Sequence, residues 1–261
     1  MPFAEINGIR LHYETAGSGP ALVFAHGAGG NQMSWWQQLP HFSRSYRCVS
    51  FDHRAFGKSA DTEEAPGRRA FADDLRELLD HMNIDRCAII AQSMGGRTAV
   101  GFCVRNQGRV GALVLAGTTG GAVSDELREK QAEYRSGPIG QLSLARRAIS
   151  PRLRKDRPDL AYLYRLIGRL NPARPPEFLA PIPGYRGSSA EALTKIGVPI
   201  MFLVGEEDAI TPAAFIQLAH QQVPGSRYEV IPQAGHSAYF ERADEFNVRV
   251  ERFLVEAGWT A

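Results

Sequence analysis

The chain has 261 residues, a net charge of +2, 44% apolar and 22% charged residues. Such a composition excludes a disordered tail, a coiled coil and a collagen-like repeat, and the length is ample for a large core. The near-neutral charge gives no electrostatic footprint for nucleic acid, and no apolar run approaches the ~18 residues of a membrane span. The opening MPFAEING lacks the basic-then-apolar order of a signal peptide. The cysteines Cys48, Cys87 and Cys103 sit in apolar stretches without metal spacing, which points to buried small hydrophobes in a reducing compartment. A soluble cytoplasmic protein is expected.

The chain opens with a hairpin over residues 3–15, where Asn7-Gly8 stands between Ile6 and Ile9 and can take the positive φ of a tight turn. Short apolar runs follow at Ala21–Ala25, Tyr46–Phe51, Cys87–Ala91, Ala112–Ala116 and Pro199–Val204, with a last strand at Tyr228–Ile231. Between them, Phe71, Leu75, Leu78, Leu79 and Met82 share one helical face, as do Phe246, Val250, Phe253 and Leu254 near the end. Thr211-Pro212 reads as N-cap and first position of another helix. Wholly apolar strands alternating with helices predict an α/β fold with a mostly parallel twisted sheet flanked by helices. Ligands bind such sheets beyond the carboxyl ends of the strands, so the polar residues after each run converge on one rim.

Residues 122–190 break this rhythm. They carry no convincing strand and hold thirteen Lys and Arg against seven Asp and Glu. The gap is too long for a simple connection, so an inserted helical cap over 122–190 is expected, with residues 1–121 and 191–261 forming the core.

Ala91-Gln92-Ser93-Met94-Gly95 follows an apolar run and precedes a helical stretch. That is the context of a strand–turn–helix elbow, in which small residues two places either side of a serine let a strained backbone lift its hydroxyl clear of the sheet. An isolated match would be an ordinary turn; the flanking elements make it a candidate nucleophile. Serine needs a base, and the base needs an orienting acid. Gly205-Glu206-Glu207-Asp208 follows the fifth run and supplies the acid, with Asp208 preferred over Glu206 and Glu207 because it sits just before the turn into the next helix. Gly235-His236 supplies the base. Two backbone N–H groups should receive the charge of the tetrahedral intermediate. Met94 follows the nucleophile at a helix N-terminus. Ala28 lies in His26-Gly27-Ala28-Gly29-Gly30, a loop that lacks the Lys-Ser/Thr of a phosphate-binding loop.

These motifs, with Asp52-His53-Arg54-Ala55-Phe56-Gly57-Lys58-Ser59, stand in the order of the α/β-hydrolase fold, which the chain resembles over nearly its whole length. The resemblance implies Ser93, Asp208 and His236 as a catalytic triad, and Ala28 and Met94 as oxyanion donors. Two departures stand out: Ala91 where the family has Gly, and Ala55 for Gly in the D-x-R-G stretch. A Ser nucleophile disfavours the epoxide and haloalkane chemistry of relatives that use Asp, and implies acyl transfer to water. No metal or organic cofactor is implied. The opening is similar to 3-oxoadipate enol-lactonases. The segment after His236 resembles meta-cleavage C–C hydrolases, although Ser237 stands where those usually carry Trp.

Substrate contacts are less constrained. Trp35 and Trp36 could line an acyl pocket or simply pack, and Tyr239 is a further candidate. Among the arginines Arg146, Arg147, Arg152, Arg154 and Arg165, one or two turned inward would hold a substrate carboxylate in a fork, whereas a charge run by itself is usually a solvated face. Arg97 reads as structural. The expected activity is a serine hydrolase of a small, potentially anionic ester or lactone, with no nucleic-acid or membrane partner and a homo-oligomer left open. A C–C hydrolase of vinylogous diketo acids and a ligand-binding receptor with slow turnover are the alternatives.

Overall fold

The computed structural model describes residues 2–62, 66–174, 178 and 189–260. Among the described residues the eight strands are β1 (Phe3–Ile6), β2 (Ile9–Ala16), β3 (Ala21–Ala25), β4 (Arg47–Phe51), β5 (Cys87–Gln92), β6 (Val110–Ala116), β7 (Ile200–Gly205) and β8 (Arg227–Ile231). They form one sheet in the order β1-β2-β4-β3-β5-β6-β7-β8. Only the β1–β2 and β2–β4 pairings are antiparallel. At the hairpin Asn7 and Gly8 have φ of +44° and +75°, and Ile6 pairs with Ile9. The class expected from the apolar runs is the one observed.

Helices cover both faces. They are α1 (Gln38–Phe42), α2 (Phe71–His81), α3 (Met94–Arg105), α4 (Asp125–Ser136), α5 (Leu144–Arg147), α6 (Pro151–Asp156), α7 (Pro158–Arg169), α8 (Ala190–Lys195), α9 (Ala213–Gln221), α10 (Ala238–Glu241) and α11 (Ala243–Glu256). Strand side chains alternate between two cores. Val23, Leu113 and Leu115 face α2, α3 and α9 with Leu75, Phe102 and Ile216. Leu22, Phe24 and Val114 face the other way, towards Phe42 of α1 and Phe246, Val250 and Leu254 of α11. Period-2 alternation on strands that are apolar throughout is what lets one sheet hold helices on both sides.

All three cysteines are buried and free. Burial pushes the Cys48 and Cys103 thiols up to about 12 and raises Cys87 as well, so each behaves as a small hydrophobe. The N-cap expected at Thr211 is instead Pro212, which has no capping side chain, and the Thr211 N–H donates to the Asp208 carboxylate at 2.8 Å.

Between β6 and β7 the described chain holds helices α4 to α8 and no strand. The Pro-rich end of this stretch, 175–177 and 179–188, lies outside the described residues. Among the described residues no helix is long and apolar enough to cross a membrane, and no group of three or more His, Cys, Asp or Glu is placed to hold a metal ion.

Candidate active site

At the end of β5 the chain turns abruptly. Ser93 has φ +51° and ψ −113°, a conformation L-residues rarely adopt, and α3 begins at the next residue. Gly95 allows the turn because a Cβ there would strike the Ala25 carbonyl on β3. Strain of this kind costs on the order of 1–3 kcal/mol and persists only where surrounding structure imposes it. Here the Ser93 N–H donates to Ala116 O at 2.9 Å, tying the turn to the end of β6.

The loops after β7 and β8 meet beside it. His236 Nδ1 lies 2.8 Å from Asp208 Oδ2, and both residues are buried. The other Asp208 oxygen accepts the Ile210 and Thr211 N–H groups at 2.8 Å each. A carboxylate only accepts, so Nδ1 carries the proton and Nε2 is left as an acceptor. The other acids of the loop go elsewhere. Glu206 accepts the Gln233 N–H at 3.0 Å, and Glu207 faces Arg152 at 3.4 Å. Gly117, directly after β6, has φ +60°, and a Cβ there would come within 3.1 Å of His236 Nδ1 and 3.3 Å of Asp208 Oδ2. A glycine closing an apolar strand was a visible signal that this end must admit close neighbours.

Ser93 and His236 line one cavity of about 660 Å³ together with Ala28, Gly29 and Gln92. Its other wall comes from the stretch between β6 and β7: Ala145, Ile149, Arg154, Tyr164, Arg165 and Arg169 are among the residues that line it. Among the described residues no carboxylate lines it. Arg154 Nη2 donates to the Ala145 and Arg146 carbonyls at 3.2 and 2.7 Å, and the Arg165 guanidinium stacks 5.0 Å above the Tyr162 ring.

The remaining candidates are placed differently. Trp35 is fully buried against Phe24 and Tyr239, so it packs the core. Trp36 is exposed and meets Phe240 edge-on. Tyr239 is buried among Trp35, Phe240 and Phe246. None of these three rings lines the cavity: the short helical turn Gln32–Trp35 packs against α10, which buries Trp35 and Tyr239 and leaves Trp36 at the surface. Arg146 also stays outside it, and Arg147 is turned to the Leu142 and Ala209 carbonyls. The Met94 side chain and Arg97 line a separate small recess behind α3 with Arg68 and Arg69, while the Met94 N–H opens the helix beside Ser93.

Sequence reasoning missed Arg169 and Tyr164. Tyr164 accepts the Ser237 hydroxyl at 2.9 Å, next to His236. It also missed Glu241, a buried carboxylate that accepts the Ser150 N–H at 3.1 and 3.2 Å. Burial raises its pKa, opposed by hydrogen bonds from Ser150 and Gly235. It therefore joins the start of α6 to the loop carrying His236.

A model of the alpha/beta hydrolase family matches residues 22–249. The chain is 27% identical to the 2-hydroxy-6-oxo-6-(2'-aminophenyl)hexa-2,4-dienoic acid hydrolase of Metapseudomonas resinovorans, covering 97% of this chain and 90% of that one. It is 27% identical to 3-oxoadipate enol-lactonase 2 of Acinetobacter baylyi, covering 94% and 93%. In structure it is similar to a thermophilic esterase from Thermogutta terrifontis, with a TM-score of 0.79, 25% identity and coverage of 97% and 96%.

Proposed function

The chain belongs to the alpha/beta hydrolase family, and from that premise we propose that it is a serine hydrolase cleaving a small carboxylic ester or lactone through an acyl-enzyme on Ser93. The observation that carries this reading is the His236–Asp208 bond at 2.8 Å, with Ser93 held in a strained turn on the same cavity. His236 Nε2 takes the Ser93 proton as Oγ attacks the substrate carbonyl. The Ala28 and Met94 N–H groups receive the oxyanion, and the Asp208 carboxylate stabilises the imidazolium. The intermediate collapses to an ester on Ser93 as His236 returns its proton to the leaving alkoxide. Water, deprotonated by His236, then releases the acid and restores Ser93. The described helices of the 122–190 stretch that line the cavity, from Leu144 to Arg169, act as its cap.

The substrate carries a carboxylate or a comparable negative charge. Three arginines and no described acidic residue on the cavity wall support this, since an Arg fork orients a carboxylate. The similarity to a dienoic acid hydrolase favours one second reading, C–C hydrolysis of a vinylogous diketo acid at the same serine.

The test is turnover of p-nitrophenyl acetate, of small lactones with and without a free carboxylate, and of a coloured ring-fission diketo acid, each by wild type and Ser93→Ala. Ester or lactone turnover that vanishes in Ser93→Ala supports the reading. Equal rates in the two proteins refute it, and bleaching of the diketo acid alone favours C–C cleavage.

A further inference from the structure

Behind the glycine loop lies a chain of hydrogen bonds that the chemistry above does not use. His26 and His53 are both buried, their rings edge-to-face with centroids 4.4 Å apart. His26 Nδ1 is 2.8 Å from Gly27 O. His26 Nε2 is 3.0 Å from the His53 backbone N and 3.1 Å from His53 Nδ1. His53 Nε2 is 3.0 Å from Thr98 Oγ1 on α3.

Donor chemistry fixes the His26 tautomer. The His53 backbone N–H can only donate, so His26 Nε2 must be bare. The proton of a neutral His26 is then on Nδ1, where the Gly27 carbonyl accepts it. A hydrogen bond across the 3.1 Å contact requires the proton on His53 Nδ1, because His26 Nε2 can only accept. In that arrangement His53 Nε2 accepts the Thr98 hydroxyl. The chain runs one way, from Thr98 through His53 and His26 to Gly27 O. Burial agrees with two neutral rings: desolvation lowers His26 to about 4 and holds His53 well below the usual histidine range.

Gly27 O and the Ala28 N–H belong to one peptide unit. In a trans peptide they point in opposite directions. Gly27 O is held from one side by His26 Nδ1 and also accepts the Gly30 N–H at 3.1 Å. Pinning the carbonyl therefore aims the Ala28 N–H. The Gly27 backbone lies close to the nucleophile, since a Cβ on it would sit 3.1 Å from Ser93 Cβ.

We propose that His26 and His53, anchored by Thr98, are positioning residues that hold the Gly27–Ala28 peptide so that the Ala28 N–H faces the oxyanion above Ser93. This rests on the acyl-transfer reading above. None of the three side chains touches substrate; they act through one peptide plane.

The wiring is read directly by ¹H–¹⁵N correlation of the imidazoles in the intact protein at pH 7. Both His26 and His53 should show a protonated Nδ1 and a bare Nε2; a protonated Nε2 on His26, or averaging between tautomers, overturns the proposal. Thr98→Val removes the terminal donor at nearly constant volume, and Thr98→Ser keeps it. Since losing one oxyanion donor outright costs about 10²–10³ in kcat, misaiming it in Thr98→Val should lower kcat on p-nitrophenyl acetate about tenfold, with KM within about twofold and Thr98→Ser near wild type. An unchanged kcat in Thr98→Val overturns the link to catalysis. Stoichiometric labelling of Ser93 by a fluorophosphonate separates the two failures. Absent labelling sinks the acyl-transfer reading, and labelling alongside averaged tautomers sinks the relay alone.

Discussion

The strand-end rim and the helices between β6 and β7 line the same cavity by different means. On the rim, backbone geometry decides where each group goes. Ser93 is lifted by its own φ, Gly95 and Gly117 leave space that a methyl would fill, and Asp208 is held by two N–H groups of the following turn. On the helical side, long side chains set the wall, and Arg165 and Arg169 are exposed. That side is fastened at a few points. Asn31 Nδ2 donates to Ile167 O at 2.9 Å, Asn171 Nδ2 to Gly30 O at 3.1 Å, and Ser237 N to Ala148 O at 3.1 Å. Under the proposed acyl transfer, the chemistry, which tolerates small positional errors poorly, falls on the rim fixed by backbone geometry, and recognition falls on the side walled by long side chains.

The largest expected effect tests the rigid side. Ser93→Ala and His236→Ala should each lower kcat by at least about 10⁴-fold, and the double variant should be scarcely worse, because the residues act as a unit. Multiplicative losses in the double variant, measured as burst and steady-state rates, would mean that the two do not work together.

A second prediction concerns stability on the same side. His26 is lowered from 6.5 to about 4, first by desolvation, with Asp52 and Arg174 acting in opposite senses. The unfolded chain therefore binds more protons between these values, and stability falls as pH drops from 6.5 towards 4. The gap between 6.5 and about 4 corresponds to up to about 3 kcal/mol from this one group. Urea midpoints across this range should show the slope in wild type and a shallower one in His26→Gln. Identical slopes would remove His26 from the acid response.

The adjustable side should respond more gently and selectively. Arg165→Ala or Arg169→Ala should raise KM for a carboxylate-bearing ester about tenfold, the loss of one charge-assisted contact of ~1.4 kcal/mol, and leave a neutral acetate ester unchanged. Equal effects on both esters would place these arginines in packing rather than recognition.

The smallest effect is a gain. Ala55 has φ +62°, where L-residues are strained and glycine is not. Ala55→Gly should stabilise the protein by up to about 1 kcal/mol without altering kcat. A lower melting temperature would show that the methyl group does more than strain the turn.

Much of the scaffold was legible along the chain because its signals are local. Asn7-Gly8 needs only its own dihedrals to turn, and an apolar run such as CAIIA ending at a small-residue turn announces a buried strand and the helix beyond it. The tryptophans were not legible: Trp35 and Trp36 are adjacent and chemically alike, yet one is buried and the other exposed, because a short helical turn places them on opposite sides. The arginines divided in the same way. Arg154 and Arg165 line the cavity, whereas Arg146 and Arg147 do not, since the direction of each depends on how α5 to α7 pack. The histidine relay joins residues 26, 53 and 98, and no motif spans them.

Amino-acid order alone determined the layered α/β class, the hairpin, the serine elbow and the order of the polar groups along the rim. Those features arise from hydrophobic period and from the few residues able to take unusual dihedrals, properties each short segment carries by itself. Tertiary structure alone decided which acid meets His236, which arginines share the cavity with Ser93, and which groups the buried His26 and His53 rings meet. Each of these depends on a distance of about 3 Å between side chains or loops far apart in sequence, and such distances are set only when the sheet and its helices close around them.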